Sequence, residues 1–175
     1  MATQIKKSTG KTVYIMAIRS ENIQDKSRIA TLIARTYAPK GAKVIEQTGL
    51  LRALPSYMPE LSLVAENADN ISIFALLTPV KAGAGQGVYL APLAFDDRLE
   101  GLDLLGFLQE SFTKAQAQGF RYVFVQGRLE DLKELGFQYA AEAGFSHESS
   151  NMLVKDFGTG DVLSGEIILP EGLES

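Results

Sequence analysis

The sequence contains no cysteine, and His147 is the only histidine among its 175 residues. Without cysteine, neither a disulfide framework nor a thiolate metal site can form. A single histidine likewise excludes a metal site that is built from several imidazoles. The sequence therefore predicts a protein without a metal cofactor.

A strong excess of one charge is also lacking. The chain carries 17 basic and 21 acidic side chains, a net charge of −4, and no basic stripe, which argues against nucleic acid as a partner. A membrane-spanning helix needs an apolar run of about 18 residues, and the sequence has no run of that length. Residues 1–11 are polar and lack the hydrophobic region of a signal peptide. We expect a cytoplasmic protein with no membrane partner.

The length and the apolar content are those of one globular domain. At 175 residues, 46% of them hydrophobic, the chain can bury a substantial core. No repeat, low-complexity tract or linker interrupts it. We expect a flexible tail over residues 1–12 and a single domain over residues 13–175.

Hydrophobic periodicity predicts the order β-α-α-β-β-β-α-β-α-β-β, an α/β (α+β) class. The predicted strands are 13–18, 61–66, 71–80, 88–95, 122–126, 137–140 and 152–156, and the predicted helices are 29–37, 43–54, 102–115 and 129–135. The three consecutive strands between residues 61 and 95 favour an antiparallel meander.

This order and several local motifs resemble the GCN5-related N-acetyltransferase (GNAT) superfamily, in particular a bacterial subfamily of predicted acetyltransferases. The similar segments are Leu51-Arg52, residues 57–66 (YMPELSLVAE), residues 91–95 (APLAF), Gly127 with Gly136-Phe137, and the tail at 152–155, 163–165 and Pro170. The resemblance covers roughly residues 13–170. It implies a mixed central sheet whose two central strands splay apart, with helices on both faces.

The resemblance also implies a function and a site. It implies transfer of an acetyl or other acyl group from acyl-CoA to a small-molecule or protein amine, and it allows a homodimer. Backbone N–H groups near Leu93, Ala94 and Phe95 would hold the thioester carbonyl. The diphosphate of CoA would lie at the start of the next helix, near Arg98 and the segment 101–104, Gly101, Leu102, Asp103 and Leu104.

Two features depart from the pattern of the family. The acidic residues Asp96, Asp97, Glu100 and Asp103 surround the expected phosphate loop, where small neutral residues are usual. A carboxylate about 5 Å from a phosphate charge costs about 3 kcal/mol at an effective dielectric near 20. The acids could instead cap the helix and face solvent, and the two interpretations are compatible.

The second departure concerns catalysis. Leu132 occupies the position of the usual tyrosine, and leucine cannot donate a proton to a leaving thiolate. Glu66 and His147 are weak candidates for a general base, since each is equally consistent with a surface side chain. The sequence leaves open an active N-acetyltransferase with weakened CoA binding, an inactive GNAT-fold binding or regulatory module, and an enzyme with a different acyl donor.

Overall fold

The computed structural model describes residues 3–8, 11–15, 17–99 and 101–173. Its helices are α1 (Lys26–Thr36), α2 (Gly41–Arg52), α3 (Leu104–Ala117) and the short α4 (Leu129–Leu132). Its strands are β1 (Thr3–Ser8), β2 (Lys11–Ile15), β3 (Ala17–Ser20), β4 (Ser62–Asn67), β5 (Asn70–Ala82), β6 (Gly85–Phe95), β7 (Tyr122–Gln126), β8 (Phe137–Tyr139), β9 (Phe145–Ser146), β10 (Met152–Asp156) and β11 (Gly165–Ile168).

A mixed sheet organises the described part of the chain, in the order β3-β4-β5-β6-β7-β10-β8. Strands β3 to β6 form the predicted antiparallel meander, which is confirmed. The pairing of β6 with β7 is parallel, because α3 crosses over between them. Strand β11 pairs with β5 and with β9, and neither β9 nor β11 was predicted.

Different elements pack on the two faces of the sheet. Helix α3 packs on one face, where Phe107 and Phe112 join the core residues of β4 to β7. Helices α1 and α2 cover half of the other face, with Ile29, Leu32 and Phe74 in the core between them and the sheet. The C-terminal segments cover the remaining half. The fold therefore leaves β6 and β7 in the middle of a sheet with helices on both faces, as predicted.

The N-terminal strands form a separate element. Strands β1 and β2 pair as an antiparallel hairpin outside the main sheet. The strand predicted over residues 13–18 is divided between β2 and β3. The predicted flexibility of residues 1–12 and the single-domain boundary stay predictions. Across the described residues, no helix has both the length and the apolar character needed to cross a membrane.

Candidate functional site

Strands β6 and β7 pair over only a short stretch and then separate. Their parallel ladder joins Val88 to Val123 and Tyr89 to Phe124, and β6 continues to Phe95 without further pairing to β7. The opening lies at the carboxyl ends of both strands, where α/β sheets bind ligands. The separation of these two strands creates a cleft in the middle of the sheet.

An irregularity in β6 accompanies this separation. Its ladder with β5 shifts by one residue, since Leu77 pairs with Leu90 but Ala75 pairs with Leu93. Pro92 lies in the extra stretch and has no N–H to give to a ladder. A bulge of this kind bends a strand and increases its twist. The bend turns the last residues of β6 away from β7.

Hydroxyl groups from the end of α1 contact the edge of β6 that faces the cleft. The Tyr37 hydroxyl donates to the Leu93 carbonyl at 2.8 Å and accepts from the Leu93 N–H at 3.1 Å. The Thr36 hydroxyl accepts from the Phe95 N–H at 3.3 Å, and its one proton is shared between the Leu32 carbonyl at 3.0 Å and the Phe95 carbonyl at 3.3 Å. Two neutral side chains therefore satisfy a strand edge that has no strand partner.

Ala94 is different, and this corrects the expectation that its N–H lines the cleft. Alternate residues of a strand direct their N–H groups to opposite edges. Ala94 pairs with Phe74 of β5, between two neighbours whose amides bond to α1. Its N–H therefore points to β5, and its side chain is buried. Only Leu93 and Phe95 direct their amides towards the cleft.

Two buried or half-buried tyrosines, Tyr37 and Tyr89, line one cavity beside this edge. Burial raises the pKa of Tyr37 above its usual range, and the hydrogen bond with Leu93 lowers it only in part. Burial also raises the pKa of Tyr89 to about 12, with the backbone of Gln126 opposing the shift and Tyr37 adding to it. Both phenols therefore keep their protons at neutral pH and can act as hydrogen-bond donors.

The start of α3 is capped by its own acid. The Asp103 carboxylate accepts from the Gly106 N–H at 2.9 Å, and its carbonyl accepts from the Phe107 N–H at 3.1 Å. A Cβ at Gly106 would lie 2.2 Å from the second carboxylate oxygen, so the glycine makes room for this cap. The capping interpretation of Asp103 is confirmed. Its carboxylate occupies a backbone donor that an incoming anion would use.

In the rest of the predicted phosphate loop, the charged side chains bind one another. Arg98 donates two hydrogen bonds to Asp96, at 2.9 and 2.8 Å, and Arg35 adds a third contact at 3.3 Å. The bond from Arg98 is the main cause that lowers the pKa of Asp96 to about 2. The negative charge of Asp96 is therefore balanced by two arginines, and the Arg98 guanidinium is already bound to Asp96 rather than free for a phosphate.

The remaining residues of this loop divide between surface and core. Gly101 is exposed and has a φ of 77°, a conformation that favours glycine. The side chains of Leu102 and Leu104 are partly buried against the same core as Leu93. Glu100 lies outside the described residues. The predicted roles of these residues in cofactor binding stay predictions.

The position of the expected tyrosine is occupied by a hydrocarbon side chain. A Cβ on Gly127, which follows β7, would lie 3.5 Å from a methyl carbon of Leu132. Leu132 therefore stands beside the cleft end of β7 and packs against the core. No proton donor can come from this residue.

Glu66 is held in an ion-pair cluster. It accepts from Arg19 at 3.1 Å and from Arg28 at 3.2 Å, and both arginines also bind the fully buried Asp25. The bond from Arg19 is the main cause that lowers the pKa of Glu66. A carboxylate in this environment is a poor proton acceptor, so we do not assign it a catalytic role.

His147 lies towards the other end of the sheet. Its Nδ1 accepts from the Ser149 N–H at 3.0 Å, and it borders a small cavity beside Ile168. Ile168 pairs with Lys81 of β5, whereas the cleft lies opposite Ile73 of the same strand. Eight strand residues separate these points, roughly 25 Å. The structure does not bring His147 to the cleft.

Sequence reasoning missed the contact between α1 and β6. The predicted helix over residues 29–37 includes Thr36 and Tyr37, but the prediction gave their hydroxyls no partner on β6. The available signal was two hydroxyl-bearing residues in the last turn of an otherwise apolar helix face. A strand edge that lacks a partner needs such donors and acceptors, because buried backbone groups are almost always satisfied.

Comparisons with known proteins support the fold. No family model matches the sequence, and no curated protein matches it. Among solved structures, a GNAT family N-acetyltransferase (YhbS) from Escherichia coli in complex with CoA is 20% identical, with a TM-score of 0.79 and 97% of each chain covered. A GNAT family acetyltransferase from Brucella melitensis in complex with acetyl-CoA is 23% identical, with a TM-score of 0.72, over 91% of this chain and 99% of the other.

A more distant likeness extends the same pattern. The ribosomal-protein-S18-alanine N-acetyltransferase from Escherichia coli is 14% identical, with a TM-score of 0.60, over 92% of this chain and all of the other. At these identities the likenesses establish the fold. The chain has the GNAT fold, and the predicted fold class is confirmed.

Proposed function

We propose that this protein transfers an acetyl or other acyl group from acyl-CoA to an amine. The cleft between β6 and β7 carries the proposal: after Tyr89 and Phe124 the strands part and leave the edge at Leu93 and Phe95 without a strand partner. The similar structures from Escherichia coli and Brucella melitensis contain CoA and acetyl-CoA. A cleft of this kind accepts an extended thioester arm that bonds to the strand edge.

The strand edge fits the thioester half of the donor. Its polar groups are held by the Tyr37 and Thr36 hydroxyls, which can give way to an amide or carbonyl of the ligand at little net cost, since one hydrogen bond replaces another. The start of α3 fits the diphosphate half less well, because Asp103 already places a negative charge there. The proposal therefore includes weakened binding of the CoA phosphates.

The chemistry follows from this edge. A neutral amine attacks the thioester carbon, the C–N bond forms and the C–S bond breaks. The leaving sulfur takes a proton from an acid, and the nitrogen gives up one proton, which restores that acid. The Leu93 N–H would stabilise the negative charge that develops on the carbonyl oxygen. Leu132 cannot supply the proton, whereas the Tyr37 hydroxyl already contacts this edge and is protonated at neutral pH. We assign Tyr37 as the proton donor in this proposal.

An inactive binding module is the alternative. The unpartnered strand edge does not favour it, because a fold that no longer binds a donor has no need of an open cleft. Cytoplasmic location and a homodimer belong to the proposal as further predictions.

Titration with acetyl-CoA and acetyl-pantetheine tests the proposal directly. Calorimetry should show binding of acetyl-CoA in the micromolar range, and release of free thiol should accompany incubation with amines. Because the chain has no cysteine, a thiol reagent reads only the released product. Absence of binding for both ligands at millimolar concentration would refute the proposal and leave the inactive module or an enzyme with a different acyl donor.

A further inference from the structure

A second cavity adjoins the cleft on the side of α1 and α2. It has a volume of about 280 Å³, and its floor is formed by Tyr89, Ala91 and Pro92 of β6, immediately before Leu93. A cavity of this size holds one small molecule rather than a peptide segment. Because it reaches β6 next to the edge where the thioester would lie, an amine bound in it could reach the thioester carbon.

The residues of α2 that line this cavity are charged at one end of the helix and apolar at the other. Lys43, Val44 and Leu51 lie on one side of the helix, with Lys40 directly before it. At 1.5 Å per residue, the distance from Lys43 to Leu51 along the axis is about 12 Å. One end is therefore basic and exposed, and the other end is apolar.

The cavity also has a cover. Leu173 lines it, and the neighbouring Gly172 carbonyl accepts a hydrogen bond from the Gln47 side chain. Thr48, in the wall, donates to the Val44 carbonyl at 2.7 Å and so has no donor left for a ligand. The two lysines at the rim are the charged groups that a ligand can meet, whereas the Tyr37 hydroxyl already bonds to Leu93 and would have to exchange that bond for one to the ligand.

The charges on the lining restrict the acceptor. Among the lining residues that the structure describes, Lys40 and Lys43 are the charged ones, and both are cations. A polyamine would meet like charges there, whereas a carboxylate would be attracted to the rim. The cations also favour loss of a proton from a nearby ammonium group, which yields the neutral nucleophile without a carboxylate base.

We infer that the acceptor is a small amino acid-like amine, with an apolar side chain for the interior of this cavity and a carboxylate that binds Lys40 and Lys43. The inference rests on the proposed function and names its acceptor class. It distinguishes this site from one that serves polyamines, peptides or sugars with several amino groups.

A set of matched acceptors tests the inference. With saturating donor, we expect L-leucine to be acetylated, L-leucinamide to show a KM at least tenfold higher, and spermidine to be inert. The double variant Lys40→Gln/Lys43→Gln should raise the KM for leucine about tenfold and leave that for leucinamide nearly unchanged. Lys26→Gln, an exposed lysine at the opposite end of α1, is the matched control and should change neither.

The outcomes separate the two proposals. Acetylation of leucinamide or spermidine as efficiently as leucine would overturn the acceptor class and leave the transferase standing. Calorimetry with leucine alone provides a readout that does not need turnover. Leucine binding that is lost in the double variant but kept in Lys26→Gln would support the carboxylate site even if no acyl transfer occurs. Unaltered leucine binding in the double variant would refute it.

Discussion

Two helices of this protein begin with an aspartate, and the surroundings of the two carboxylates differ. Asp25 precedes α1, is fully buried and binds the Asn22 N–H at 2.7 Å, Arg19 at 2.7 Å and Arg28 at 2.6 Å. Asp103 precedes α3, is exposed and binds the Gly106 N–H. Among the described residues, no lysine or arginine forms an ion pair with Asp103.

This difference separates a structural acid from one that faces the proposed cofactor site. If Asp25 moved, Arg19 and Arg28 would each lose one of their two acidic partners and keep Glu66. Asp103 can rotate into water at the cost of one capping hydrogen bond, about 1 kcal/mol. The same residue type at the same position of a helix therefore serves stability in one place, and in the other, under the proposed function, it is a removable obstacle to the CoA phosphates.

The largest effect is expected from Asp25→Asn. The carboxylate is fully buried, but the side chains of Arg19 and Arg28 are 31% and 37% exposed, so its replacement should lower the free energy of unfolding by about 2 kcal/mol. The hydrogen bond from Arg19 is the main cause that lowers the pKa of Asp25 from 3.8 to about 2. Its stabilisation is therefore complete above pH 4 and is lost as the pH falls towards 2.

Urea unfolding at neutral and acid pH measures both parts. The difference in unfolding free energy between wild type and Asp25→Asn should be largest at pH 7 and should shrink at pH 3. The exposed counterpart Asp103→Asn should change stability by less than about 0.5 kcal/mol, since asparagine caps a helix as well as aspartate does. A difference that is the same at both pH values would contradict the assignment of Asp25.

The sequence predicted most of the fold because its pattern is local and strong. The meander strands, the helix over Leu104–Ala117 and the strand Tyr122–Gln126 follow directly from apolar periodicity and glycine or proline boundaries. The strands β9 and β11 were missed because they are short, and β9 consists of only two residues. Such segments become strands through pairing, which periodicity does not reveal.

The site was less predictable than the fold, because it depends on which side a backbone group faces. Leu93 and Phe95 do direct their amides to the unpaired edge of β6, but the inclusion of Ala94 ignored the alternation of amides along this strand. The contact of Tyr37 with Leu93 joins residues 56 positions apart, and no local pattern encodes it. The sequence shows the acidic residues around Asp103. Only the structure shows that Asp96 forms an ion pair with Arg98, whereas Asp103 caps α3.

A smaller effect, on affinity, is expected from Asp103→Asn. Removing the charge at the start of α3 should raise the affinity for acetyl-CoA about tenfold, less than the hundredfold of a fully unscreened contact because the side chain is exposed. Binding of acetyl-pantetheine, which lacks the diphosphate, should not change. Calorimetric titration of both ligands at low and high salt measures the effect, which should decrease with salt.

The control for this variant is Asp161→Asn. Thr159 contacts Gln116 in the last turn of α3, which places this second exposed acid roughly 20 Å from the start of the helix. It changes the net charge by the same amount without touching the cap. Equal gains in affinity from both variants would show that only the overall charge matters and would refute a local role for Asp103.

The smallest effect, on helix stability, compares two glycines. Gly49 lies inside α2 with no atom near its missing Cβ, so Gly49→Ala should stabilise the protein by about 0.5–1 kcal/mol. Gly106→Ala offers the same gain in helix propensity, but its Cβ would clash with the Asp103 carboxylate and displace the cap, which costs about 1 kcal/mol. The gain in helix propensity and the loss of the cap should nearly cancel, so thermal unfolding of Gly106→Ala should resemble that of the wild type.

Two double variants are the controls. In Asp103→Asn/Gly106→Ala the clash remains, since asparagine has the same shape as aspartate. In Asp103→Ala/Gly106→Ala the clash is gone, and the second alanine should stabilise the protein relative to Asp103→Ala alone. If Gly106→Ala by itself stabilises the protein as much as Gly49→Ala does, the Asp103 carboxylate does not cap α3. The contrast drawn between Asp25 and Asp103 would then be wrong for Asp103.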